Sequence, residues 1–572
     1  MTQAAIQTTT STPDVARVLA GVLEPDEIVL DLAERRLVSS DVYATGVLAE
    51  AVLRPRDRER LARAIGAVTA AGLAVSPRGG GMSYTGGYVP ERAGTVVVDT
   101  SRLDRIVEIS ADDLYITVEA GVTWKRIYEA LKPLGLRLPF FGTFSGAQAT
   151  VGGGLSNGAL FHGTARYGTA ADCVLGLEVA LADGSLLRTG QAGFRNVAKP
   201  FYRTYGPDLT GLFCHDCGVL GVKTLATFRL IRAPAHTGFA SFIFSAPSFV
   251  DGMKAVGRAL SEVARTGAAE EAYVFDPEST RKNLESHNLL KDVKTLANVV
   301  RQGSSFLKGL RDGAQLIAAG RDFIPAGAFS LHVVCTGRTE AALEADLAAV
   351  REACERLGGK EIPNSIPKAV RADPFPSLDG VLGPNGDRWA ALNAKVAHTD
   401  AARIIDAAAA ALKPYEAEMQ AKGIWMSHLL IAIGSSAFSF EPVFHWYDEW
   451  LPMHERMPAP EVLAKFKRPA PNQAGRELVE RLRGVLVQLF SDLGASSTQI
   501  GKTYPYMQSL EPRTAQFIEG LKGLADPRRA MNPGGLGLRC RGVRPRRPRA
   551  AVRLRGPSGL AGRRPAGQAA GP

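Results

Sequence analysis

The sequence has few cysteines and no long apolar run. Only six of its 572 residues are cysteine, which is too few for a disulfide framework. The longest apolar stretch, near residues 423–438, is interrupted by His428 and by small polar residues, and it is shorter than the ~20 residues that span a bilayer. The first residues, MTQAAIQTTTSTPD, lack the charged and apolar regions of a secretory signal. We therefore expect a cytoplasmic protein without a transmembrane segment.

Acidic residues are absent from the last part of the chain. Residues 539–572 contain ten arginines and no Asp, Glu or Lys, so this stretch carries +10 of the formal net charge of +11. The rest of the chain is almost neutral, which removes the general argument for a nucleic-acid partner. Because the stretch has few large apolar side chains, we predict a disordered tail and no nucleic-acid binding. A basic arm for nucleic acid is the alternative.

Glycine, by contrast, is concentrated in three segments, at residues 77–87, 150–158 and 208–222. Glycine permits positive φ angles and lets backbone N–H groups approach an anion such as a pyrophosphate. The GxGxxG dinucleotide fingerprint and the lysine of a Walker loop are both absent from the first segment. Three glycine-rich turns between short strands predict one long ligand that is bound by main chain.

The residues of these segments carry a family resemblance. They read PRGGGMSYTGG, TVGGGLSNGALFHGTARYG and DLTGLFCHDCGVLGVKTLATFRL. They resemble the FAD-binding domain of the vanillyl-alcohol oxidase / p-cresol methylhydroxylase (PCMH-type) superfamily, which includes glycolate oxidase and D-lactate dehydrogenases. The resemblance covers about residues 40–233, and LADPRRAMNPG at 524–534 is similar to the family's closing segment. It implies an α+β fold with a PCMH-type FAD-binding domain of two α/β lobes, and a cap domain whose antiparallel sheet is covered by helices.

The domain boundaries follow from the resemblance and from a change of pattern after residue 233, where glycine-punctuated turns give way to longer strands and helices. Such a pattern suits a sheet backed by helices on one face. Within it we predict helices near 249–266 and over 401–421, and we expect residues 363–395 to be less regular. In the first domain, Asp57 is predicted to cap a helix. In chain order we expect an N-terminal segment 1–39, an FAD-binding domain 40–233, a substrate or cap domain 234–500, a C-terminal segment 501–538 that returns to the FAD domain, and the tail 539–572.

The resemblance also implies the cofactor site, residue by residue. The positions are Arg78, Gly79, Gly80, Gly81, Met82, Ser83, Gly86, Gly87, Gly152, Gly153, Ser156, Asn157, Gly158, His162, Gly218, Gly221 and Val222. Many flavin-linked relatives have a histidine where this chain has Met82, and methionine cannot form that bond. We therefore expect non-covalent FAD. His162 is the remaining candidate for a covalent link, and a hydrogen-bonded loop histidine is the alternative.

Two further patterns have to be weighed against simple packing. Cys214 and Cys217 form a lone CxxC, which permits a redox switch or half of a metal site, but Cys217 is expected to pack as a small residue beside the flavin ring.

The metal-assisted 2-hydroxy-acid dehydrogenases of the family carry His-rich GDGN and Glu-His-Gly segments. This chain has Thr498 and Gln499 there instead, so we predict no catalytic metal.

The densest cluster of proton-transfer groups lies at residues 439–450. On a strand Glu441 and His445 share one face, and Pro442 between them favours an edge strand beside a cleft. His428 lies on the preceding predicted strand. Our candidate catalytic residues are therefore His445, Glu441 and His428, with His445 as the base. An exposed hairpin of Glu, His and Asp is the alternative explanation of the same sequence.

These observations predict an FAD-dependent oxidoreductase. The resemblance implies a small 2-hydroxy acid of the D-lactate or glycolate type as substrate, oxidised by hydride transfer to flavin N5. A para-substituted phenol or aromatic alcohol oxidase of the vanillyl-alcohol type is the second enzymatic hypothesis, and a flavin-binding protein without turnover is a third. The sequence leaves open whether oxygen, a quinone or a cytochrome accepts the electrons, and which oligomer forms.

Overall fold

The computed structural model describes residues 13–279, 324–325, 327–376, 378, 382–456 and 463–538. The tail predicted at 539–572 lies outside the described residues. Across the described ranges, no helix combines the length and the apolar character that a bilayer crossing requires. Two short helices lie in the first part of the described chain, at Val15–Val18 and Leu32–Val38.

The first lobe is a small mixed sheet. Its strands are β1 Ile28–Val29, β2 Val52–Leu53, β3 Ala74–Arg78 and β4 Thr95–Asp99, in the order β1-β2-β4-β3. The helix Arg58–Ala70 packs on this sheet, and it begins at Asp57, whose carboxylate accepts the N–H of Arg60 at 2.7 Å. β3 and β4 are parallel, so the first glycine segment leaves the sheet at the carboxyl end of a parallel pair, a common place for ligands.

The second lobe is a five-stranded antiparallel sheet. Its strands are β5 Ile106–Ser110, β6 Tyr115–Glu119, β8 Val174–Ala180, β9 Leu186–Arg188 and β10 Val222–Arg229, in the order β5-β6-β10-β8-β9. β7 Leu136–Arg137 and β11 Ile231–Arg232 form a separate pair. The helices of this lobe are Trp124–Leu131, Val151–Asn157, Thr164–Tyr167, Ala170–Cys173 and Leu209–Leu212.

The cap is built on a large antiparallel sheet. Its strands are β12 His236–Phe244, β13 Ala269–Phe275, β14 Phe329–Gly337, β15 Lys360–Ile362, β16 Asp387–Ala391, β17 Ala394–Ala397, β18 Trp425–Ile433 and β19 Ala437–Tyr447. The order is β15-β12-β14-β13-β18-β19-β16, and β17 also pairs with β19. Four long helices supply apolar residues to the core on one face of this sheet: Phe249–Thr266, Glu340–Arg356, Ala401–Leu412 and Gln473–Asp492. Further α-helices in the described part of this region and of the C-terminal segment are Ser365–Ala372, Glu416–Ala421, Pro452–Arg456, Tyr506–Ser509 and Pro512–Ala525.

The predicted fold class is confirmed, and three local expectations are wrong. Pro442 does not mark an edge, because β19 pairs with β18 on one side and with β16 and β17 on the other. The proline is tolerated because it lies opposite the interruption between β16 and β17, where its carbonyl accepts the N–H of Leu392 at 3.0 Å. The segment 363–395, expected to be irregular, contributes β16, β17 and a helix. The helix expected over 401–421 is divided by a 3₁₀ turn at Lys413–Tyr415.

A buried group of charges joins the cap to the second lobe. Glu270 on β13 binds Arg137 of β7, and it also accepts from Arg371 Nη2 at 2.9 Å. Glu271 accepts from Arg371 Nη1 at 2.5 Å. The register of β13 shifts between Ala269 and Glu271, and both neighbouring carboxylates reach Arg371. Burial alone would raise the pKa of Glu270, but the charges of Arg137 and Arg371 outweigh it and lower that pKa to about 2.

The C-terminal segment returns to the first lobe. The N–H of Val75 in β3 donates to the carbonyl of Ala530 at 2.9 Å, and the N–H of Asn532 donates to the carbonyl of Val75 at 2.7 Å. Asn532 Nδ2 also donates to the carbonyls of Gly87 and Cys217. One buried amide thus ties together the first and third glycine segments.

Candidate active site

A cleft runs between the two lobes and reaches the cap. It is lined by most of the predicted cofactor-binding residues: Arg78, Gly79, Gly80, Gly81, Met82, Ser83, Gly87, Gly152, Gly153, Ser156, Asn157, Gly221 and Val222. The structure thus brings the three glycine segments to one place, although they are far apart in the sequence.

The loop at residues 79–83 presents unused backbone donors to this cleft. None of its five N–H groups donates a hydrogen bond to another described group. Two of its glycines have no room for a side chain, because a Cβ on Gly80 would lie 1.9 Å from the carbonyl oxygen of Gln148 and one on Gly79 would lie 2.1 Å from Thr150 Oγ1. Gly81 has φ +75°, which favours glycine. Consecutive free N–H groups of this kind bind anions.

Arg78 adds a positive charge beside the loop. Its guanidinium lies over the Tyr88 ring at 5.5 Å and 3.8 Å from Asp99 Oδ2, while its buried Nε has no hydrogen-bond partner among the described groups. A buried donor without a partner is costly, so a ligand acceptor at this position is expected. Arg78 and the loop together suit a pyrophosphate.

The second glycine segment differs from the expectation of a turn between strands. Residues Val151–Asn157 form a helix whose N-cap, Thr150, bonds the N–H of Gly153 at 3.4 Å. Its glycines permit close packing, since a Cβ on Gly154 would lie 2.6 Å from the Trp124 ring. Gly153, in contrast, faces open cleft and meets only Thr150 Oγ1 at 3.4 Å. Sequence rules disfavour a helix with three consecutive glycines, and here packing outweighs propensity.

Four predicted cofactor residues do not line the cleft. Gly86, Gly158 and Gly218 adopt positive φ angles in the turns that shape it. His162 is fully buried elsewhere, with Nε2 at 2.8 Å from the carbonyl oxygen of Pro374 and its ring stacked on Phe141. The structure therefore does not bring the proposed covalent-link candidate to the cleft.

The CxxC cysteines are held as packing residues. Burial raises the pKa of Cys217 to about 12 and that of Cys214 to about 11, so neither is a thiolate near neutral pH. The Cys217 sulfur accepts the N–H of Gly501 at 3.1 Å and so joins the third glycine segment to the C-terminal segment.

Comparison with known proteins decides what this cleft is. Residues 49–190 match the FAD_binding_4 family, described as an FAD binding domain. Residues 49–190 are therefore an FAD binding domain. The FAD fits the cleft described above, because the free N–H groups and Arg78 supply the donors that its pyrophosphate requires.

Two curated relatives and one solved structure illustrate the likeness. The FAD-domain region is 31% identical over 220 residues to the mitochondrial D-lactate dehydrogenase [cytochrome] of Kluyveromyces lactis, which covers 37% of this chain and 36% of that protein. It is 31% identical over 226 residues to glycolate oxidase subunit GlcD of Bacillus subtilis, covering 39% and 46%. The chain thus matches less than half of the length of either relative. The fold resembles substrate-bound p-cresol methylhydroxylase, with a TM-score of 0.65, 17% identity, and coverage of 92% and 96%.

The last residues of the cap region meet the first glycine segment at the FAD cleft. Gln499 lines the cleft, and its Nε2 donates to the Tyr84 hydroxyl at 2.8 Å. Burial raises the pKa of Tyr84, and the nearby Glu441 carboxylate raises it further. Glu441 on β19 therefore lies close to a side chain that contacts a wall of the cleft.

Glu441 is a buried carboxyl group near a half-buried lysine, Lys395. Burial raises the pKa of Glu441 to about 7, although the Lys395 ammonium on β17 opposes this shift. Burial lowers the pKa of Lys395 to about 8, and the Glu441 charge opposes that shift. Lys395 Nζ donates to Asn393 Oδ1 at 3.0 Å. A carboxyl group with a pKa near 7 can accept a proton under neutral conditions.

The other two predicted catalytic residues occupy different surroundings. His445 shares the face of Glu441, and its Nε2 lies 2.7 Å from Ser427 Oγ while its ring stacks on Trp425 at 5.5 Å. His428 stands opposite Pro442 in the register, so it lies on the other face of the sheet, where Nδ1 is 3.0 Å from Asp276 Oδ2. The structure brings Glu441 and His445 to one face and leaves His428 apart.

Sequence reasoning missed most of the residues around Glu441. Lys395 and Asn393 lie in a segment expected to be irregular, and Tyr504 carries no motif. Tyr84 belongs to the first glycine segment, and Gln499 was considered only as a replaced metal ligand. A signal was nevertheless present, because Lys395 is a single charged residue among apolar residues in ALNAKVAH.

Proposed function

We propose that this protein is an FAD-dependent oxidoreductase that oxidises a small 2-hydroxy acid of the D-lactate or glycolate type. The observation that carries the proposal is the buried Glu441 carboxyl group, which lies close to Tyr84, the hydrogen-bond partner of Gln499 in the cleft wall, and to the Lys395 ammonium. The names of the relatives, a D-lactate dehydrogenase and a component of glycolate oxidase, support the same substrate class.

Each residue has a role in this chemistry. Bound FAD supplies the acceptor for a hydride. The N–H groups of residues 79–83 and the Arg78 guanidinium would hold its pyrophosphate. Glu441 accepts the proton of the substrate hydroxyl as the C–H bond releases its hydride, so that a 2-hydroxy acid becomes a 2-oxo acid.

Glu441 is a better candidate for the proton acceptor than His445, which the sequence favoured. The raised pKa of its carboxyl group suits proton transfer from the substrate hydroxyl. Its charge also raises the pKa values of Tyr84 and Tyr504, so it lies near both side chains. His445 is engaged with Ser427 and Trp425, which suits a residue that positions the ends of β18 and β19. We retain His445 as the second candidate.

A para-substituted phenol is the alternative substrate. The aromatic side chains near Glu441 favour it, since Tyr84 meets the Trp389 ring edge-on at 4.8 Å and Tyr504 is also buried nearby. A flat aromatic substrate packs well against such rings.

We further propose that FAD is bound without a covalent link and that the protein is cytoplasmic. Met82 lines the cleft at the position where linked relatives carry histidine, and His162 lies outside the cleft. The reduced cofactor would pass its electrons to oxygen, a quinone or a cytochrome.

Anaerobic mixing tests the proposed activity. The purified holoenzyme is mixed in turn with D-lactate, glycolate and a para-substituted phenol, and the bleaching of the flavin absorbance is followed. Bleaching by a 2-hydroxy acid is the expected result. Bleaching by the phenol alone would support the phenol as substrate. No bleaching by any of the three compounds would contradict both substrate hypotheses.

A further inference from the structure

Resting on the proposed function, we propose that Lys395, Asn393 and Ser439 form the site that binds the carboxylate of the substrate. They would fix the acid group while the neighbouring Glu441 takes the hydroxyl proton. This assigns substrate recognition to one face of the cap sheet rather than to the FAD domain.

The register of the sheet places these residues together. Lys395 on β17 stands directly opposite Ser439 on β19, and Ala394 stands opposite Phe440. Continuing this register by one residue brings Asn393 opposite Glu441, at the interruption between β16 and β17. Residues two apart on a strand share a face, so all four side chains lie on the same side of the sheet.

Asn393 offers a donor that the protein does not use. Its Oδ1 accepts the backbone N–H of Thr498 at 2.9 Å and Lys395 Nζ at 3.0 Å. Because both partners can only donate there, the orientation of the amide is fixed. The buried Nδ2 lies near the Tyr84 hydroxyl, but it makes no hydrogen bond of good geometry with any described group. A buried, preoriented donor of this kind points to a ligand acceptor.

Ser439 and Lys395 extend the same surface. The Ser439 hydroxyl is fully buried and has no hydrogen-bond partner among the described groups. Lys395 donates to a neutral amide, and no carboxylate of the described residues forms an ion pair with its Nζ. One cation and two neutral donors are therefore available on one side of the Glu441 carboxyl group. A carboxylate has two oxygen atoms with several acceptor positions, whereas a phenol presents a single oxygen.

The site lies next to the FAD cleft. Thr498, which bonds Asn393, directly precedes Gln499 in the cleft wall. Lys395 is also bonded through its backbone to Ser496, at 2.7 and 3.0 Å. The segment 496–499 thus connects the proposed carboxylate site to the cofactor.

The test measures binding of oxalate, a dicarboxylate that cannot be oxidised by hydride loss, to the holoenzyme. Calorimetry and the perturbation of the flavin spectrum give the Kd independently of turnover. We expect Lys395→Met to weaken oxalate binding at least ~10-fold, because a hydrogen bond to a charged group is involved. Lys395→Arg should lose less. Asn393→Asp keeps the acceptor for Thr498 and replaces the free donor with an acceptor, so it should also weaken binding. Exposed Lys413→Met is the matched control and should bind like the wild type.

The outcomes separate this inference from the proposed function. Retained flavin shows that a variant is folded, and Ser439→Ala offers a milder variant if Lys395→Met loses flavin. Wild-type oxalate affinity in Lys395→Met, Asn393→Asp and Ser439→Ala would overturn the carboxylate site, even if D-lactate bleaches the flavin. Weakened binding in these variants would uphold the site even if no 2-hydroxy acid is oxidised, in which case the proposed function alone fails. Absence of oxalate binding to the wild type would also overturn it.

Discussion

Gln499 Nε2 donates a 2.8 Å hydrogen bond to the Tyr84 hydroxyl. This bond joins the end of the cap region to the first glycine segment, which binds the cofactor. Gln499 has φ +51°, an uncommon conformation for this residue type. Its N–H also donates to the carbonyl of Asn157 at 2.7 Å. The cofactor site and the proposed substrate site therefore share a structural element, and their occupancy can be tested separately by variants on either side.

The loop at residues 79–83 should not tolerate even one added methyl group at Gly80. We expect Gly80→Ala to abolish FAD retention, because its Cβ would lie 1.9 Å from the carbonyl oxygen of Gln148 and the loop would have to move. Gly484→Ala is the control, because a Cβ at this exposed position of the helix Gln473–Asp492 would have no atom within 4 Å. Flavin absorbance per protein measures the effect. Full flavin content in Gly80→Ala would remove the loop from the cofactor site.

Gly153 gives a complementary test. A Cβ at this helical position meets only Thr150 Oγ1 at an ordinary 3.4 Å, so the protein itself should accept Gly153→Ala. Loss of FAD with an unchanged melting temperature of the apoprotein would then report a clash with the cofactor. We expect weaker FAD binding and an unchanged fold, and undiminished affinity would place the cofactor away from this helix.

Replacement of the proposed proton acceptor should slow flavin reduction. We expect Glu441→Gln to lower the rate of anaerobic bleaching by the substrate by about 100-fold or more, which is typical of a lost general base. His445→Asn should have a smaller effect, since the ring contacts Ser427 and Trp425. If His445→Asn is the slower variant, the roles that we assign to these two residues are reversed.

The pH profile of reduction should be bell-shaped. Glu441 must be ionised to accept a proton, so the rate should rise as pH increases through about 7. Lys395 must be protonated to hold an anion, so apparent affinity should fall as pH increases through about 8. The other ionisable groups near Glu441 are Tyr84, Tyr504 and Arg483. Both tyrosine pKa values are raised far above the values of about 7 and 8 that shape the profile. Stopped-flow reduction between pH 5 and 10 measures the profile, and loss of the acidic limb in Glu441→Gln would confirm the assignment. A profile in which Glu441→Gln keeps that limb would contradict it.

The buried charges at the cap interface should make the fold sensitive to acid. Glu270 has a pKa of about 2 in the folded protein against an ordinary 4.5, so its stabilising contribution is complete above pH 4.5 and is lost as pH falls towards 2. Glu270→Gln leaves Arg137 without a charge partner and should cost about 3–5 kcal/mol. Thermal melts measure it, with the surface variant Glu418→Gln as control. Equal melting temperatures for the two variants would contradict this role.

Local patterns predicted the fold well where residues carry a clear period or a cap. The helix at Phe249–Thr266 was located at its observed ends, and Asp57 was correctly predicted as a helix cap. Non-local packing was not predictable. The helix Val151–Asn157 forms despite its glycines because Trp124 and Ala120 pack against it. Lys395 and Asn393 became candidates only when strand pairing brought them opposite Ser439 and Glu441.

Pro442 has a consequence for how substrate selection is controlled. Since its nitrogen carries no hydrogen, the pairing with Leu392 has one backbone hydrogen bond instead of two, so the ladder is weaker just before Asn393. Asn393 is held in addition by the N–H of Thr498 and by the Tyr504 hydroxyl, which accepts its N–H at 2.7 Å. Residues 497–504, which follow the cap, are therefore a place where selectivity could be retuned by substitutions that touch no substrate.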